Sequence, residues 1–223
     1  SGGGFQEIEV TGCTVYSPRK SQKIYGVQRG LAGIALEIVD GGKLENVTVS
    51  EIRIDGVTAP IFLRLGNRAR TYGSGMPKPG VGTFQNVVLR DIAAENASEI
   101  GCSITGLPGH PIRNVVLENV QISFDGGGSK DQAAREIPER PESYPESTMF
   151  GPLPAYGLYC RHVEDLTLRN VQLDTRRPDL RHAVLADDVK RLKIEALEAD
   201  GVPGAEAVIR LVQVDGAEIR RCK

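Results

Sequence analysis

The chain has 223 residues, with 27 Lys or Arg against 29 Asp or Glu and a formal net charge of −2 at pH 7. A chain so close to neutral offers no strongly basic surface, which argues against nucleic acid and anionic membrane lipids as partners. Its longest apolar runs are too short to span a bilayer. We therefore predict that residues 1–223 form one domain with no nucleic-acid or membrane partner.

A short sequence phrase recurs along the chain. Copies begin at Phe5, Leu44, Phe84, Ile112 and Val163, and weaker copies begin at Val189 and Val214. Repeats spaced by tens of residues indicate a stacked architecture, because a single repeat cannot bury its own apolar face.

Each copy contains two short runs in which apolar and polar residues alternate, the pattern of half-buried strands. In the second copy, Val47 and Val49 point to one side, and Ile52 and Ile54 form the next strand after a bend. A third apolar run completes each coil, at residues 33–38, 60–65, 101–105, 157–161, 183–187 and 208–212. This pattern predicts an all-β fold, a right-handed parallel β-helix of seven complete or incomplete coils. An antiparallel β-sandwich also has short strands, but its strands do not repeat their sequence in register.

Three segments interrupt the repeat, at residues 16–32, 66–83 and 124–156. Long loops on a rigid scaffold often carry function, and the alternative for the first two is a solvated, mobile loop. The third contains Tyr144, Met149, Phe150 and Tyr156, which are too apolar to be left in water. We predict that this third segment folds back over a face of the solenoid.

Cysteine and histidine usage points to structural roles. Cys13, Cys102 and Cys160 fall at inward positions, where they act as small apolar residues. The chain has no C-x-x-C pair, which argues against structural zinc, and we predict no disulfide framework, metal or cofactor. His110 lies in a Gly- and Pro-rich turn and is predicted to face solvent, whereas His162 and His182 flank third strands and have no assigned role.

Alternate residues of the third runs point outward, and equivalent positions stack at roughly 4.8 Å. Glu37, Arg64 and Arg161 then share one column, with Phe62 and Tyr159 in the neighbouring column. On an exposed, elongated face these groups suit a hydroxyl-rich polymer, because aromatic rings stack on sugars and charged groups form strong hydrogen bonds. The alternative is an ordinary exposed strand face whose salt bridges contribute little.

Several runs resemble glycoside hydrolase family 28, the polygalacturonase-like enzymes, with bacterial members the most similar. The runs are the Ser1-Gly-Gly-Gly-Phe5 opening, Gly33–Val49, Ala59–Arg68 and Phe150–Tyr159. The resemblance implies a pectin-lyase-like β-helix and a secreted or periplasmic location. It also implies inverting hydrolysis of pectic or related plant polysaccharide by two separated carboxylates.

The resemblance further implies which part of such an enzyme the chain represents. The family's Asn-Thr-Asp, Asp-Asp and Gly-His-Gly motifs are expected to precede Ser1, so we expect a C-terminal segment of the solenoid with no catalytic residue of its own. Missing N-terminal coils, or another chain, would cover its open end. The family's Arg-Ile-Lys motif falls on Ala35-Leu36-Glu37, where both basic residues are lost and a glutamate would repel a galacturonate carboxylate.

We expect the substrate to be a polysaccharide or oligosaccharide held by the outward columns. The predicted substrate-binding residues are Glu37, Phe62, Arg64, Asn67, Arg68, Tyr159 and Arg161. A non-catalytic carbohydrate-binding or structural β-helix is the alternative. A calcium-dependent lyase is disfavoured, because the outward columns show no acidic cluster.

Overall fold

In a computed structural model, which describes residues 3–18 and 23–223, the chain is almost entirely β-structure. The strands are β1 (Gly4–Thr11), β2 (Thr14–Tyr16), β3 (Ala32–Ile38), β4 (Lys43–Asp55), β5 (Ala59–Leu65), β6 (Thr83–Ala97), β7 (Cys102–Thr105), β8 (Ile112–Gly126), β9 (Ala155–Arg177), β10 (His182–Ala199), β11 (Ile209–Val212) and β12 (Asp215–Arg220). One short helix, α1 (Lys130–Ala133), lies between β8 and β9. Among the helices of the described residues, none has the length and apolar character needed to cross a bilayer.

The strands pair in parallel and form two continuous stacks. The first-strand stack runs through β1, β4, β6, β8, the later parts of β9 and β10, and β12. The third-strand stack runs through β3, β5, β7, the early parts of β9 and β10, and β11. The predicted all-β, parallel organisation is confirmed, and the arrangement is consistent with a β-helix-like parallel solenoid.

The register of the stacks follows the sequence repeat. In the third-strand stack Leu36 pairs with Leu63, and Leu63 pairs with Ile104. In the first-strand stack Val47 is level with Val87 of the next strand. These side chains belong to one apolar core that is continuous along the molecule. The predicted inward stacking is therefore confirmed.

Asparagines hold the bends that precede the inward-facing valines. Asn46, Asn86 and Asn114 all have positive φ angles, between 52° and 57°, a conformation that asparagine tolerates better than most residues. Their side chains form a ladder, because Asn86 Nδ2 donates to Asn46 Oδ1 at 2.8 Å and Asn114 Nδ2 donates to Asn86 Oδ1 at 2.9 Å. The Asn-Val dipeptide in the repeat is thus the residue pair that turns the chain and re-enters the core.

The cysteine predictions hold in part. Cys102 and Cys160 are fully buried free thiols in the core, and burial raises the pKa of Cys102 to about 12. Cys13 is exposed, which contradicts its predicted place in the interior. It lies between β1 and β2, the outermost strands of the stack, and β1 itself is mostly exposed. A position that faces inward is buried only when a coil lies on each side of it.

The predicted interruptions occupy residues 17–31, 66–82 and 127–154 between the strands. Residues 1, 2 and 19–22, which include part of the chain's opening and of the predicted first loop, lie outside the described residues. The third interruption folds back over the third-strand stack, as predicted: Ile137, Met149, Phe150 and Leu153 form a second apolar cluster on its outer face. We call residues 127–154 the covering segment. Tyr144 is an exception within it, because this ring is 56% exposed.

Candidate functional site

The outward column of the third-strand stack has the predicted register. Glu37 is paired with Arg64, Arg64 with Thr105, and Thr105 with Arg161. Arg161 is paired in turn with Asp187 of β10. The neighbouring column likewise runs from Phe62 through Ser103 to Tyr159.

The middle of this face is covered, which corrects the prediction of an exposed sugar-binding surface. Phe62 and Arg64 are each 1% exposed and Tyr159 is 2% exposed. Phe62 and Tyr159 pack in the second apolar cluster, against the apolar side chains of the covering segment. They point away from the main core, as predicted, but a sugar ring cannot reach them in this conformation.

Arg64 binds the covering segment. Its Nη2 donates to the carbonyl oxygens of Glu139 at 2.7 Å and Arg140 at 3.2 Å, and its Nη1 donates to the Thr105 hydroxyl at 3.2 Å. The guanidinium also lies 5.5 Å from the centroid of the Phe150 ring, a cation–π contact. Burial lowers the pKa of Arg64 to about 10, so the group stays charged at neutral pH. The guanidinium therefore serves as an anchor between sheet and segment.

A buried ion pair fixes the two ends of the covering segment. Asp179 and Arg181 have fully buried side chains, with Arg181 Nη2 2.7 Å from Asp179 Oδ2. Asp179 accepts a hydrogen bond from the Gly128 amide at 2.9 Å, and Arg181 donates to the Leu153 carbonyl at 3.1 Å. Burial acts to raise the pKa of Asp179, but the hydrogen bonds and charge of Arg181, together with the Gly128 amide, hold that pKa below its usual value. A Cβ at position 128 would collide with Arg181, which explains the glycine there.

Beyond the covered middle, the column opens into a cleft of about 430 Å³. Its charged lining residues are Arg135, Glu136, Arg161, Asp187 and Arg210. The cleft lies between the covering segment and strands β9, β10 and β11. Its volume is within the range of ligand pockets. Three of these five are arginines, and two further carboxylates, Glu139 and Glu206, form ion pairs with Arg161 and Arg210.

Arg161 is the central charged group of this cleft. Its Nη2 lies 2.5 Å from Glu139 Oε1, and its Nη1 donates to the Ile137 carbonyl at 2.6 Å. Its Nε is 3.2 Å from Asp187 Oδ2, but the angle is unsuited to a hydrogen bond, so this buried N–H has no hydrogen-bond partner among the described residues. That nitrogen has almost no accessible surface, so a ligand would contact the part of the Arg161 side chain that stays exposed, which is 23% of it.

Next to Arg161, His162 lies between two carboxylates that sequence analysis does not single out. Its Nδ1 is 2.6 Å from Asp188 Oδ2 and its Nε2 is 3.1 Å from Glu139 Oε1. Asp188 follows Asp187 directly after the third strand of its coil, and that Asp-Asp dipeptide is the signal that could have indicated the cluster. Glu139 lies in the covering segment, and no repeat position predicts its location.

The other histidines have structural surroundings. His110 is exposed in a turn closed by backbone hydrogen bonds with Leu107, as predicted. His182 is fully buried, with Nδ1 2.8 Å from the Ala207 carbonyl oxygen. In the described residues no group of three or more His, Cys, Asp or Glu side chains is arranged to hold a metal ion.

At the opposite end of the column, Glu37, Asn67 and Arg68 remain partly accessible. Burial, with the nearby Glu146 carboxylate, raises the pKa of Glu37 to about 7, although Arg68 acts in the opposite direction. Hydrogen bonds from Arg68 hold the pKa of Asp40 well below its usual range, and Arg68 Nη2 is 2.8 Å from Asp40 Oδ2. We call Glu37, Asn67 and Arg68 the rim.

Aromatic side chains lie beside the rim. The Arg68 guanidinium is 5.1 Å from the Tyr144 ring centroid, and Tyr144 stacks on Tyr25 with centroids 6.0 Å apart. Both tyrosines are more than half exposed. The exposed aromatic surface expected at Phe62 and Tyr159 is thus found at Tyr25 and Tyr144, on two loops whose meeting the repeat does not predict.

The covering segment therefore divides the predicted site. Arg161, with the edge of Tyr159, belongs to the cleft at one end, while Glu37, Asn67 and Arg68 form the rim at the other. Phe62 and Arg64 lie between them, out of contact with solvent. Comparison of the chain with protein-family models, curated proteins and solved structures finds no match in any of the three. The resemblance to glycoside hydrolase family 28 accordingly stays a prediction.

Proposed function

We propose that this chain binds an acidic, uronate-containing oligosaccharide in the cleft around Arg161, as part of a polygalacturonase-like glycoside hydrolase. The observation that carries the proposal is the convergence of three arginines, Arg135, Arg161 and Arg210, on one cleft in which the Arg161 side chain stays 23% exposed. A uronate carboxylate accepts charge-assisted hydrogen bonds from guanidinium groups, and its ring hydroxyls can donate to Asp187 or Glu136.

The finer fold assignment belongs to the same proposal. We infer a right-handed, pectin-lyase-like β-helix, supported by the parallel stacks and by the right-handed preference of parallel β crossovers. Such a solenoid presents long rows of equivalent side chains to a polymer. The rim at Glu37, Asn67 and Arg68 would be a second contact for a longer substrate, with Tyr25 and Tyr144 as stacking surfaces.

The test is binding of trigalacturonate, measured by isothermal titration calorimetry with the whole chain. Arg210→Ala and Arg135→Ala each remove one cleft arginine and should weaken binding roughly tenfold, the effect of one charge-assisted hydrogen bond. Arg90→Ala is the matched control, because Arg90 is exposed on the first-strand stack and does not line the cleft. Equal affinities for Arg210→Ala and Arg90→Ala would contradict the proposed site.

A non-catalytic carbohydrate-binding role is the competing proposal, and the same cleft would serve it. Reducing-sugar release from pectic substrates separates the two roles. Trigalacturonate binding without any release, by the natural full-length protein, would favour the binding role. Release that falls with Arg210→Ala would favour the hydrolase.

A further inference from the structure

His162 joins the covering segment to the sheet, and nothing in the function proposed above uses it. It lies at the bend that follows the third strand of its coil, with a φ of 53°, and Asp188 holds the same place in the next coil with a φ of 51°. Its Nδ1 is 2.6 Å from Asp188 Oδ2, and its Nε2 is 3.1 Å from Glu139 Oε1 in the covering segment. The His162 side chain is only 9% exposed, so the ring is almost fully enclosed between these partners.

The two contacts of the His162 ring need two protons. An ionised carboxylate only accepts hydrogen bonds, and a neutral imidazole carries a single N–H. A neutral ring can therefore donate to Asp188 or to Glu139, and its other nitrogen then directs a lone pair at the remaining carboxylate. Only the imidazolium ion donates to both. Removal of one proton thus turns one of the two attractive contacts into a repulsive one.

Arg161 binds the same carboxylate from the neighbouring position of the strand. Its Nη2 is 2.5 Å from Glu139 Oε1, the oxygen that also contacts His162, and its Nε is 3.2 Å from Asp187 Oδ2. A guanidinium stays charged at every pH at which an imidazole titrates. Arg161 therefore holds Glu139 in either protonation state of the ring, so loss of the imidazolium loosens the covering segment without releasing it.

The other charged groups near the ring line a hollow of about 190 Å³ beside it. They are Arg113 of β8, Glu164 of β9 and Lys190 of β10. Arg113 Nε is 3.0 Å from Glu164 Oε2, so these two charges are paired with each other. Within the part of the chain that the structure describes, the hydrogen bonds of the ring go only to Asp188 and Glu139. The charges in direct contact with the ring are therefore both negative, which suits an imidazolium ion.

We propose that His162 is a pH-sensitive latch, which holds the middle of the covering segment on the sheet at acidic pH and loosens it as the ring loses its proton. Imidazole changes charge near neutral pH. The contribution of the latch is present while the ring is an imidazolium, and it is lost as pH rises through the range in which the ring gives up its proton. Because Ile137 of the same segment lines the cleft, loosening makes that wall of the cleft mobile. The proposal does not rest on what the cleft binds.

Hydrogen exchange of the Asn67 amide, measured by nitrogen-15 NMR on the whole chain, tests the latch. This amide donates to the Pro141 carbonyl oxygen of the covering segment at 2.7 Å, so it exchanges when the segment lifts. The neighbouring Gly66 amide donates to the Ile38 carbonyl oxygen at 2.8 Å, within the sheet, and is the matched control. The protection factor removes the intrinsic effect of pH on exchange. We expect that of Asn67 to fall roughly tenfold from pH 5.5 to pH 8, the effect of one charge-assisted hydrogen bond, and that of Gly66 to change little. Equal protection of Asn67 at the two pH values would overturn the proposal.

Two variants separate His162 from Glu37 at the rim, whose carboxyl has a pKa of about 7. Glu37→Gln should keep most of the pH dependence of Asn67 protection, because the latch is intact. His162→Gln should remove most of it, because an amide side chain does not titrate. The reverse result, with the pH dependence lost in Glu37→Gln and retained in His162→Gln, would assign the effect to the rim and overturn the latch.

Asp188→Asn tests the proton count and keeps the ring in place. The introduced amide can donate to Nδ1 of a neutral ring, whose Nε2–H still donates to Glu139. This variant should therefore protect Asn67 at pH 8 better than the native chain does, and a native pH dependence in it would contradict the latch. Nitrogen-15 shifts of the His162 ring give a second readout, since they distinguish the imidazolium ion from the neutral ring. We expect the imidazolium ion in the native chain at pH 5.5, and a neutral ring there would also overturn the proposal.

Discussion

Arg64 and Arg169 both point outward from strands of the same parallel sheet, yet their surroundings are opposite. Arg169, on the first-strand stack, has a side chain 50% exposed and pairs with Glu118 at 2.8 Å. Arg64, on the third-strand stack, is 1% exposed and bonds to backbone carbonyls of the covering segment. The difference comes from a single insertion, since residues 127–154 cover one stack and leave the other open. In a repeat protein an outward position is a surface position only where no insertion lies on it.

The comparison predicts that charged residues under the covering segment stabilise the protein far more than those on the open stack. The largest effect is expected at the buried pair that holds both ends of the segment. Asp179→Ala leaves the Arg181 guanidinium buried without its counterion. We expect a loss of about 3–5 kcal/mol in the free energy of unfolding, measured by urea denaturation.

Glu118→Ala is the matched control for Asp179→Ala. It removes a carboxylate from the open stack, where Glu118 pairs with the half-exposed Arg169. The expected loss is at most about 1 kcal/mol, because an exposed ion pair contributes little. Similar losses for the two variants would show that the covering segment does not depend on its anchor.

The second prediction concerns Arg64 and reverses what the sequence indicates. On an exposed face, Arg64→Ala would leave folding nearly unchanged and weaken sugar binding. Under the covering segment, the substitution leaves the carbonyl oxygens of Glu139 and Arg140 without a donor. We expect a loss of about 2–3 kcal/mol in the free energy of unfolding, again by urea denaturation.

Arg169→Ala provides the comparison on the open stack, and Arg64→Met separates packing from hydrogen bonding. The methionine restores most of the apolar volume against Phe150 and none of the hydrogen bonds. Arg64→Met should therefore recover only part of the loss. Native stability for Arg64→Ala would mean that the segment is held by its apolar cluster alone.

The sequence predicts the parallel strands and their register well, because the periodicity of the repeat is a local signal. Val47, Val87 and Val115 recur at the same place in each copy of the phrase, and the asparagine before each one fixes the bend. The column that joins Glu37, Arg64 and Arg161 follows from the same register.

The candidate site is predicted less well, because its form depends on contacts between segments that do not repeat. The apolar composition of residues 124–156 indicates that they cover a face, but it does not indicate which one. The burial of Phe62 and Tyr159, and the meeting of Glu139 with His162, depend on that choice. The exposure of Cys13 has a different cause, since it reflects a place at the end of the stack.

The smallest expected effect is at the rim, where the covering segment only borders the column. The Glu37 carboxyl has a pKa raised to about 7 by burial and by Glu146, above the value near 4.5 that it has when solvated. The folded state therefore binds a proton more readily than the unfolded state, and the contribution of Glu37 to stability is lost as pH rises through about 7.

Glu37→Gln removes this titration. We expect the native chain to lose stability relative to Glu37→Gln between pH 5 and pH 8, measured as thermal midpoints at each pH. Glu118→Gln removes a carboxylate from the open stack, and its pH profile should run parallel to that of the native chain. Parallel pH profiles for the native chain and Glu37→Gln would show that the covering segment does not desolvate the rim, and that its influence on the column ends at Arg64.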